Sequence, residues 1–291
     1  MSFSRIEVGH FALSRAIKIT TIFLGVYSLG GIATDVRAET LSGCPTINSS
    51  VAVTTLGIDN GIYCDVTTLG IIGVTNTGSL VNGNTATINN SGSVNTLVGG
   101  SITNNGTFNN NYAPSTGGAF LTNEGLFTNN AALLNVGKLE NRNSFTNSSS
   151  GTITNNGRIT NTTGNFTNTG ILNNNDGGGS FNNQSSLINT GSLNNGGIFD
   201  NTSTLTNQKN LNISSTGTLN NSGTIQNQKD LTNSGTINLS NGLLENVVGT
   251  GTVSNANIIN IGIGGAATLG NGGNLSNQAS GTLNISSRGT I

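Results

Sequence analysis

Charge and aromatic side chains are scarce in this sequence. Only 7% of its 291 residues are charged, the formal net charge is -1, and aromatic residues make up 4% with no tryptophan. Without a basic stripe or an aromatic platform, nucleic acid is excluded as an expected partner. The single histidine, His10, lies near the N-terminus, so histidine-based triads and metal clusters are excluded from the rest of the chain. We therefore predict no catalytic residue, no cofactor and no metal site.

Glycine and asparagine are abundant instead, and from about Ala86 onward they recur in a short unit. The unit reads Gly, small polar, apolar, small polar, Asn, and it is clearest at Gly151–Asn155, Gly191–Asn195 and Gly217–Asn221. The apolar residue returns after roughly six or seven positions, which fits neither an amphipathic helix nor the alternation within one strand. One short strand followed by one tight turn fits this step.

Three such units per coil give a period of roughly 18 to 21 residues, which is typical of stacked solenoid repeats. We predict strands of about three residues with one inward side chain, and corners made by Asn and Gly, which tolerate left-handed backbone. Asn side chains at equivalent corners would then form ladders between coils. The sequence predicts an all-β chain, a parallel β-helix of about ten or eleven coils and about 50 Å. The inward anchors in the middle of this region are predicted to be Ile153, Ile159, Phe166, Leu172, Phe181, Ile188, Leu193, Phe199, Leu205, Leu211, Leu219 and Ile225.

The alternative interpretation is a disordered or aggregation-prone chain of low complexity. Disordered chains usually combine high net charge with few apolar residues. Here 33% of the residues are hydrophobic and the anchor recurs regularly, which favours a folded solenoid.

The N-terminal part divides into two segments before the solenoid, which we predict to span residues 76–291. Residues 1–38 have basic residues, an apolar stretch and a small-residue end at Ala38, a pattern typical of a secretory signal peptide; an uncleaved membrane anchor is the alternative. Residues 39–75 are predicted to form an N-terminal cap, with a disulfide between Cys44 and Cys64. Paired thiols could instead bind metal, but two ligands do not make a zinc site.

Carboxylates and loops are the remaining candidates for chemistry. Asp200 and Asp230 should lie on different faces because they are about one and a half coils apart. Asp176 and Glu245 are further candidates, and Lys209 and Lys229 should stack about one coil apart, most simply as a solvated corner. Insertions at residues 109–117 and 174–179 interrupt the repeat, and Tyr112 in the first is the predicted contact residue.

The signal-like segment and the Gly-x-apolar-x-Asn repeats resemble the passenger regions of filamentous-haemagglutinin and autotransporter surface proteins. Gly117-Gly118-Ala119-Phe120 and Phe127-Thr128-Asn129-Asn130 also resemble the short motifs of polymorphic outer-membrane autotransporters. The resemblance implies a right-handed parallel β-helix, displayed outside the cell and used in adhesion. It also implies an outer-membrane translocator, which is not present in this chain, and the chain itself reads as truncated within a repeat at Ile291.

Three functions follow from these patterns. The leading prediction is a non-enzymatic structural or adhesive rod, secreted or held at the cell surface, which contacts a host or neighbouring cell, matrix or glycans. The alternative is a solenoid that orders ice or water through an array of threonines, beginning with Thr152, Thr154, Thr160 and Thr167. A polysaccharide-cleaving β-helix enzyme is the third.

Overall fold

The computed structural model describes residues 50–58, 63–66, 71–111 and 119–291. Within those ranges the regular structure is β only; the described residues contain no helix, and therefore none long and apolar enough to cross a membrane. The predicted signal peptide, Cys44 and Tyr112 lie outside the described residues.

Thirty-three strands follow one another, most of them four residues long. The first eleven are β1 (Ser50–Ile58), β2 (Tyr63–Val66), β3 (Ile71–Asn82), β4 (Thr87–Asn90), β5 (Ser93–Thr96), β6 (Ser101–Asn104), β7 (Thr107–Asn110), β8 (Phe120–Asn123), β9 (Leu126–Asn129), β10 (Ala132–Asn135) and β11 (Lys138–Asn141). The next eleven are β12 (Ser144–Asn147), β13 (Thr152–Asn155), β14 (Arg158–Asn161), β15 (Asn165–Asn168), β16 (Ile171–Asn174), β17 (Ser180–Asn183), β18 (Ser186–Asn189), β19 (Ser192–Asn195), β20 (Ile198–Asn201), β21 (Thr204–Asn207) and β22 (Asn210–Ile213). The last eleven are β23 (Thr218–Asn221), β24 (Thr224–Asn227), β25 (Asp230–Asn233), β26 (Thr236–Leu239), β27 (Leu243–Asn246), β28 (Thr252–Asn255), β29 (Ile258–Ile261), β30 (Ala267–Asn271), β31 (Asn274–Asn277), β32 (Thr282–Ile285) and β33 (Gly289–Thr290).

From β4 onward every third strand pairs in parallel, which gives the solenoid three faces. Face A contains β2, then β4 and every third strand to β31; face B contains β5 and every third strand to β32; face C contains β6 and every third strand to β33. The longer strands β1 and β3 run across faces B and C. Face A has eleven strands, one per coil, so the rod is about 50 Å long at the usual strand spacing. The predicted parallel β-helix is confirmed, with coils that vary from 18 to 25 residues.

Two side chains of each four-residue strand point inward, where we had predicted one. In β13, for example, Ile153 and Asn155 are buried while Thr152 and Thr154 are partly exposed. Asn is therefore the last buried residue of the strand and not a corner residue, which follows from the period of two along a strand. Among the predicted anchors Ile188 is wrong, because Leu187 is buried and Ile188 faces outward.

The buried asparagines form the predicted ladders. Asn168 is representative: its Nδ2 donates to Asn189 Oδ1 at 2.8 Å and to the Ser192 carbonyl at 2.9 Å, while its Oδ1 accepts from Asn147 Nδ2 at 2.7 Å. All of its hydrogen-bonding atoms are thus engaged although the residue is fully buried. The ladder on face C is unbroken and comprises Asn82, Asn104, Asn129, Asn147, Asn168, Asn189, Asn207, Asn227, Asn246 and Asn271.

The first rung of a ladder lacks a donor from the coil before it, and the chain meets this in two ways. On face A, Asn90 Oδ1 accepts from the Gly92 N–H at 3.1 Å, and where Ile213 interrupts the row, Asn233 Oδ1 accepts from the Gly235 N–H at 3.2 Å. On faces C and B, the first rungs Asn82 and Asn123 keep a buried Oδ1 with no partner among the described residues. Every rung after the first receives its hydrogen bond from the rung below.

Glycine is required at the corners mainly by close approach of successive coils. A Cβ on Gly157 would lie 2.3 Å from the Gly137 carbonyl oxygen and 2.4 Å from that of Val136. The prediction that Asn and Gly supply left-handed corners is wrong for Asn, since among the described residues only Asn241 is a non-glycine with positive φ. Most corners turn without left-handed backbone and instead need the absence of a side chain.

The apolar anchors stack in the same way as the asparagines, and six phenylalanines form a continuous run through the core. The rings of Phe127, Phe145 and Phe166 on face C lie parallel, with centroids 4.6 Å apart at both steps. Edge-on contacts extend the run to Phe108 at one end and through Phe181 to Phe199 at the other. Such pairs add stability beyond the area they bury.

Two of the irregular segments differ from the predicted boundaries. The first insertion begins later than predicted, because Asn109 and Asn110 belong to β7. In the second, Asn174 is a ladder rung, and the turn that follows contains Gly177 and Gly178 with positive φ. Strand β3 crosses residue 75, where the sequence analysis placed the start of the solenoid.

Candidate functional site

The four carboxylates singled out from the sequence are separated by the fold. Asp200 lies on β20 of face B, Asp230 on β25 of face A and Glu245 on β27 of face C, while Asp176 lies in the turn between β16 and β17. Asp200 and Asp230 are therefore on different faces, as predicted. Among the described residues, no three His, Cys, Asp or Glu side chains form a group that could hold a metal ion.

Lys209 and Lys229 stack on neighbouring coils, as predicted. They occupy the same corner between faces C and A, where the Asp230 N–H donates to the Lys209 carbonyl at 2.9 Å. Both residues are exposed. Cys64 lies on β2, in register with Ile88 of β4, but its predicted partner Cys44 and the predicted contact residue Tyr112 are among the residues not described.

The four threonines proposed as an ordered array do not share a face. Thr152 and Thr154 lie on face A, Thr160 on face B and Thr167 on face C. That expectation is wrong because successive repeat units turn the corner to a new face. A matched outward row does exist on face C, where Thr103, Thr128, Thr146 and Thr167 are in register, but Ile188 follows them on the next coil.

Charged residues cluster on face B, in three successive coils that the sequence analysis did not single out. Arg142 bonds two carboxylates, Glu124 at 2.8 Å and Glu140 at 2.9 Å. Hydrogen bonds to Glu140 and then to Glu124 raise the pKa of the Arg142 guanidinium above its usual value. All three side chains are at least a third exposed, so this triad contributes little to stability.

Beside this triad three residues stand in one outward row, which we call the cationic column: Phe120, Lys138 and Arg158. They are the first residues of β8, β11 and β14 and are in register on adjacent coils. Lys138 Nζ lies 4.9 Å from the centre of the Phe120 ring, and Arg158 Nε donates to Thr160 Oγ1 at 3.2 Å. Within the described part of the chain neither cation has a carboxylate partner.

The surface around the column is flat and polar. The parallel outward row on the same strands contains Thr122, Glu140 and Thr160, and on the following coil Ser180 and Asn182 continue both rows. Two shallow depressions open elsewhere on the rod: one of about 250 Å³ beside Asp200 and one of about 360 Å³ lined by Asn241 and Arg288 among others. The cationic column is thus an exposed contact surface and not a cleft.

Sequence reasoning missed this surface because coil lengths vary. Phe120 aligns with Lys138 only because the segment between β7 and β8 is longer than a normal turn, and a fixed period would have placed the two residues on different rows. The available signal was the sequence itself: Lys138, Arg142 and Arg158 lie within one coil length of one another in a chain that is only 7% charged.

Comparisons with known proteins add little to this geometry. No family model and no curated protein matches the chain. Among solved structures, the chain is similar to a TibA fragment that was hyper-glycosylated by TibC, with 18% identity over 86% of this chain and 93% of that one. The TM-score is 0.27, a level of similarity that assigns no function to this chain.

Proposed function

We propose that this chain is a non-enzymatic rod, exported through residues 1–38 and exposed at or beyond the cell surface, that makes adhesive contact through side chains on its faces. The observation that carries the proposal is the regularity of the solenoid. Inward positions are occupied by stacked anchors and hydrogen-bonded asparagines, so only the outward rows and the turns are free to contact another molecule. Such a surface suits binding along a rod better than catalysis within a pocket.

The adhesive role is tested with the chain lacking residues 1–38, coated on beads and offered to cells and to extracellular matrix. Attachment should exceed that of beads carrying the Ile225→Asp variant, whose core should not form. Equal attachment of both kinds of bead, or no attachment at all, would contradict adhesion by the folded rod.

Export is tested separately by expressing the full chain and a chain without residues 1–38 in a Gram-negative bacterium. The full chain should leave the cytoplasm and be cleaved after Ala38. Retention of an uncleaved full chain in the inner membrane would favour an anchor instead.

A polysaccharide-cleaving enzyme is the competing function with a specific geometric observation, since Glu124 and Glu140 both bond Arg142 and therefore lie near each other. Paired carboxylates are the machinery of glycoside hydrolysis. Here, however, both are tied to one guanidinium on an open face, where water is not excluded. Incubation with polygalacturonate should release no reducing ends; release that disappears in the Glu140→Gln variant would overturn the non-enzymatic proposal.

Ice binding is tested by thermal hysteresis. The single outward row from Thr103 to Thr167 is four coils long and lacks a matched second row of threonines. We therefore expect no hysteresis, and a clear ice-growth inhibition lost in Thr146→Leu would show the alternative to be right.

A further inference from the structure

Lys138 and Arg158 are held by neutral groups, and this distinguishes them from Arg142. Lys138 is placed over the Phe120 ring and Arg158 is bonded by a hydroxyl, whereas Arg142 is neutralised by two carboxylates. A cation–π contact and a hydroxyl bond orient a positive charge without cancelling it. The column therefore presents two oriented and uncompensated charges on adjacent coils.

Adjacent coils set the distance between these charges. Parallel strands lie about 4.8 Å apart, so Lys138 and Arg158 rise from backbones at that separation. One anionic group could be shared between the two side chains, and the planar guanidinium of Arg158 matches a carboxylate in particular. An extended polymer carrying such groups could lie along the column.

The surroundings of the column indicate what kind of polymer this is. Thr122, Thr160, Ser180 and Asn182 flank it with hydroxyl and amide groups that both donate and accept hydrogen bonds. Phe120 is 36% exposed and is the one large apolar group in these rows between β8 and β17. A hydroxyl-rich chain matches such a flat polar face, while a lipid surface would need a larger apolar area to enter the bilayer.

The geometry points to the cationic column as a binding site for an acidic polysaccharide, whose carboxylate groups are shared between Lys138 and Arg158. Phe120 acts as a positioning residue, since it holds the lysine ammonium in place. This inference rests on the proposed function, because it names the partner of an exposed adhesive rod.

The chain offers a matched control for the charge itself. Lys209 and Lys229 form a second exposed pair on adjacent coils, at a corner without an aromatic ring and next to Asp230. The variant Lys138→Gln, Arg158→Gln and the variant Lys209→Gln, Lys229→Gln remove the same net charge. Nonspecific attraction to a polyanion should respond equally to both.

The test measures binding of the folded chain to immobilised polygalacturonate and to its fully methyl-esterified form, at two salt concentrations. We expect binding to the acidic form only, weaker at high salt, and at least about tenfold weaker in the Lys138→Gln, Arg158→Gln variant. The Lys209→Gln, Lys229→Gln variant should change affinity by less than about twofold, and Phe120→Leu should weaken it by about two- to fourfold. Circular dichroism and melting confirm that each variant is folded.

Three results would overturn the inference: no binding to polygalacturonate, equal losses in the two double variants, or column-dependent binding to vesicles of acidic lipid in place of the polysaccharide. The bead assay separates this failure from failure of the proposed function. A chain that attaches to cells but not to polygalacturonate leaves the adhesive rod standing and removes its acidic partner. A chain that binds polygalacturonate but not cells does the reverse.

Discussion

Faces B and C of the solenoid begin alike and diverge after Asn221. On face C the inner ladder continues through Asn227 and Asn246 to Asn271, whereas on face B the same inward position becomes Leu239 and then Ile261. Both faces remain fully buried through these coils. The inward position after the anchor therefore requires a side chain that stacks on its own kind, either as a hydrogen-bonded amide or as an aliphatic group.

Where face B loses its inner ladder, it acquires an outer one. Asn284, Asn260, Asn238 and Asn220 each donate to the side chain on the preceding coil, and the row ends at Asp200, which accepts from Asn220 at 2.8 Å. Buried and exposed rows of the same amide thus occur on one face. The buried row should contribute far more to stability, because an unmade hydrogen bond costs most where water cannot replace it.

The largest expected effect concerns the anchors, which faces B and C share. Ile225→Asp on face C and Ile237→Asp on face B should each lower the free energy of unfolding by more than about 4 kcal/mol, since a carboxylate cannot be solvated within the stack. The outward substitutions Thr224→Asp and Thr236→Asp are the controls and should cost less than about 1 kcal/mol. Chemical denaturation measures all four, and similar losses at inward and outward positions would refute the assigned burial.

Breaking the ladder on face C comes next. Asn227→Leu leaves the Asn207 Nδ2 without its acceptor and the Asn246 Oδ1 without its donor, so we expect a loss of about 2–4 kcal/mol. Melting of this variant beside wild type checks the prediction. A loss below about 0.5 kcal/mol would mean that a leucine fits face C as well as Leu239 fits face B.

Extending the ladder on face B should show coupling between coils. Leu239→Asn or Ile261→Asn alone places an amide beside an aliphatic neighbour and should destabilise the rod. The double variant lets the two amides bond each other and continue from Asn221, so its loss should be smaller than the sum of the single losses by about 1 kcal/mol. Strictly additive losses would indicate that neighbouring coils do not form the hydrogen bond.

The smallest expected effect is on the exposed row. Asp200 has no N–H to donate when ionised, and the Oδ1 of Asn182 on the preceding coil has no partner among the described residues. Asp200→Asn supplies that donor and should stabilise the rod by up to about 1 kcal/mol. Thermal unfolding near neutral pH measures this, with Asp230→Asn on face A as the control that should leave stability unchanged.

Much of the fold could be predicted from the sequence because its two determinants are local. The spacing of anchors such as Ile153 and Ile159 fixes the strand and turn, and the recurrence of Asn two positions after each anchor places both on one side of the strand. The second inference was available but was not drawn, since Asn was assigned to the corners by its usual preference for turns. The choice of Ile188 over Leu187 failed for a related reason, because in Ser186-Leu187-Ile188-Asn189 two apolar residues adjoin and only the distance to Asn189 selects between them.

The candidate site could not be predicted in the same way. Which outward residues become neighbours depends on the length of every intervening turn, and the segment before β8 shifts the register by several residues. The alignment of Phe120 with Lys138 is therefore a property of the stacked coils. The contact predicted for Tyr112 and the disulfide predicted for Cys44 and Cys64 stay predictions.

The central claim, that buried asparagine ladders join the coils, is tested most directly by hydrogen exchange of side-chain amides measured by NMR. The Nδ2 protons of Asn168, buried and bonded on face C, should exchange as slowly as the backbone amides of β15. Those of Asn238, in the exposed row of face B, should exchange orders of magnitude faster. Equally rapid exchange at both positions, in a chain whose backbone amides are protected, would contradict the ladder.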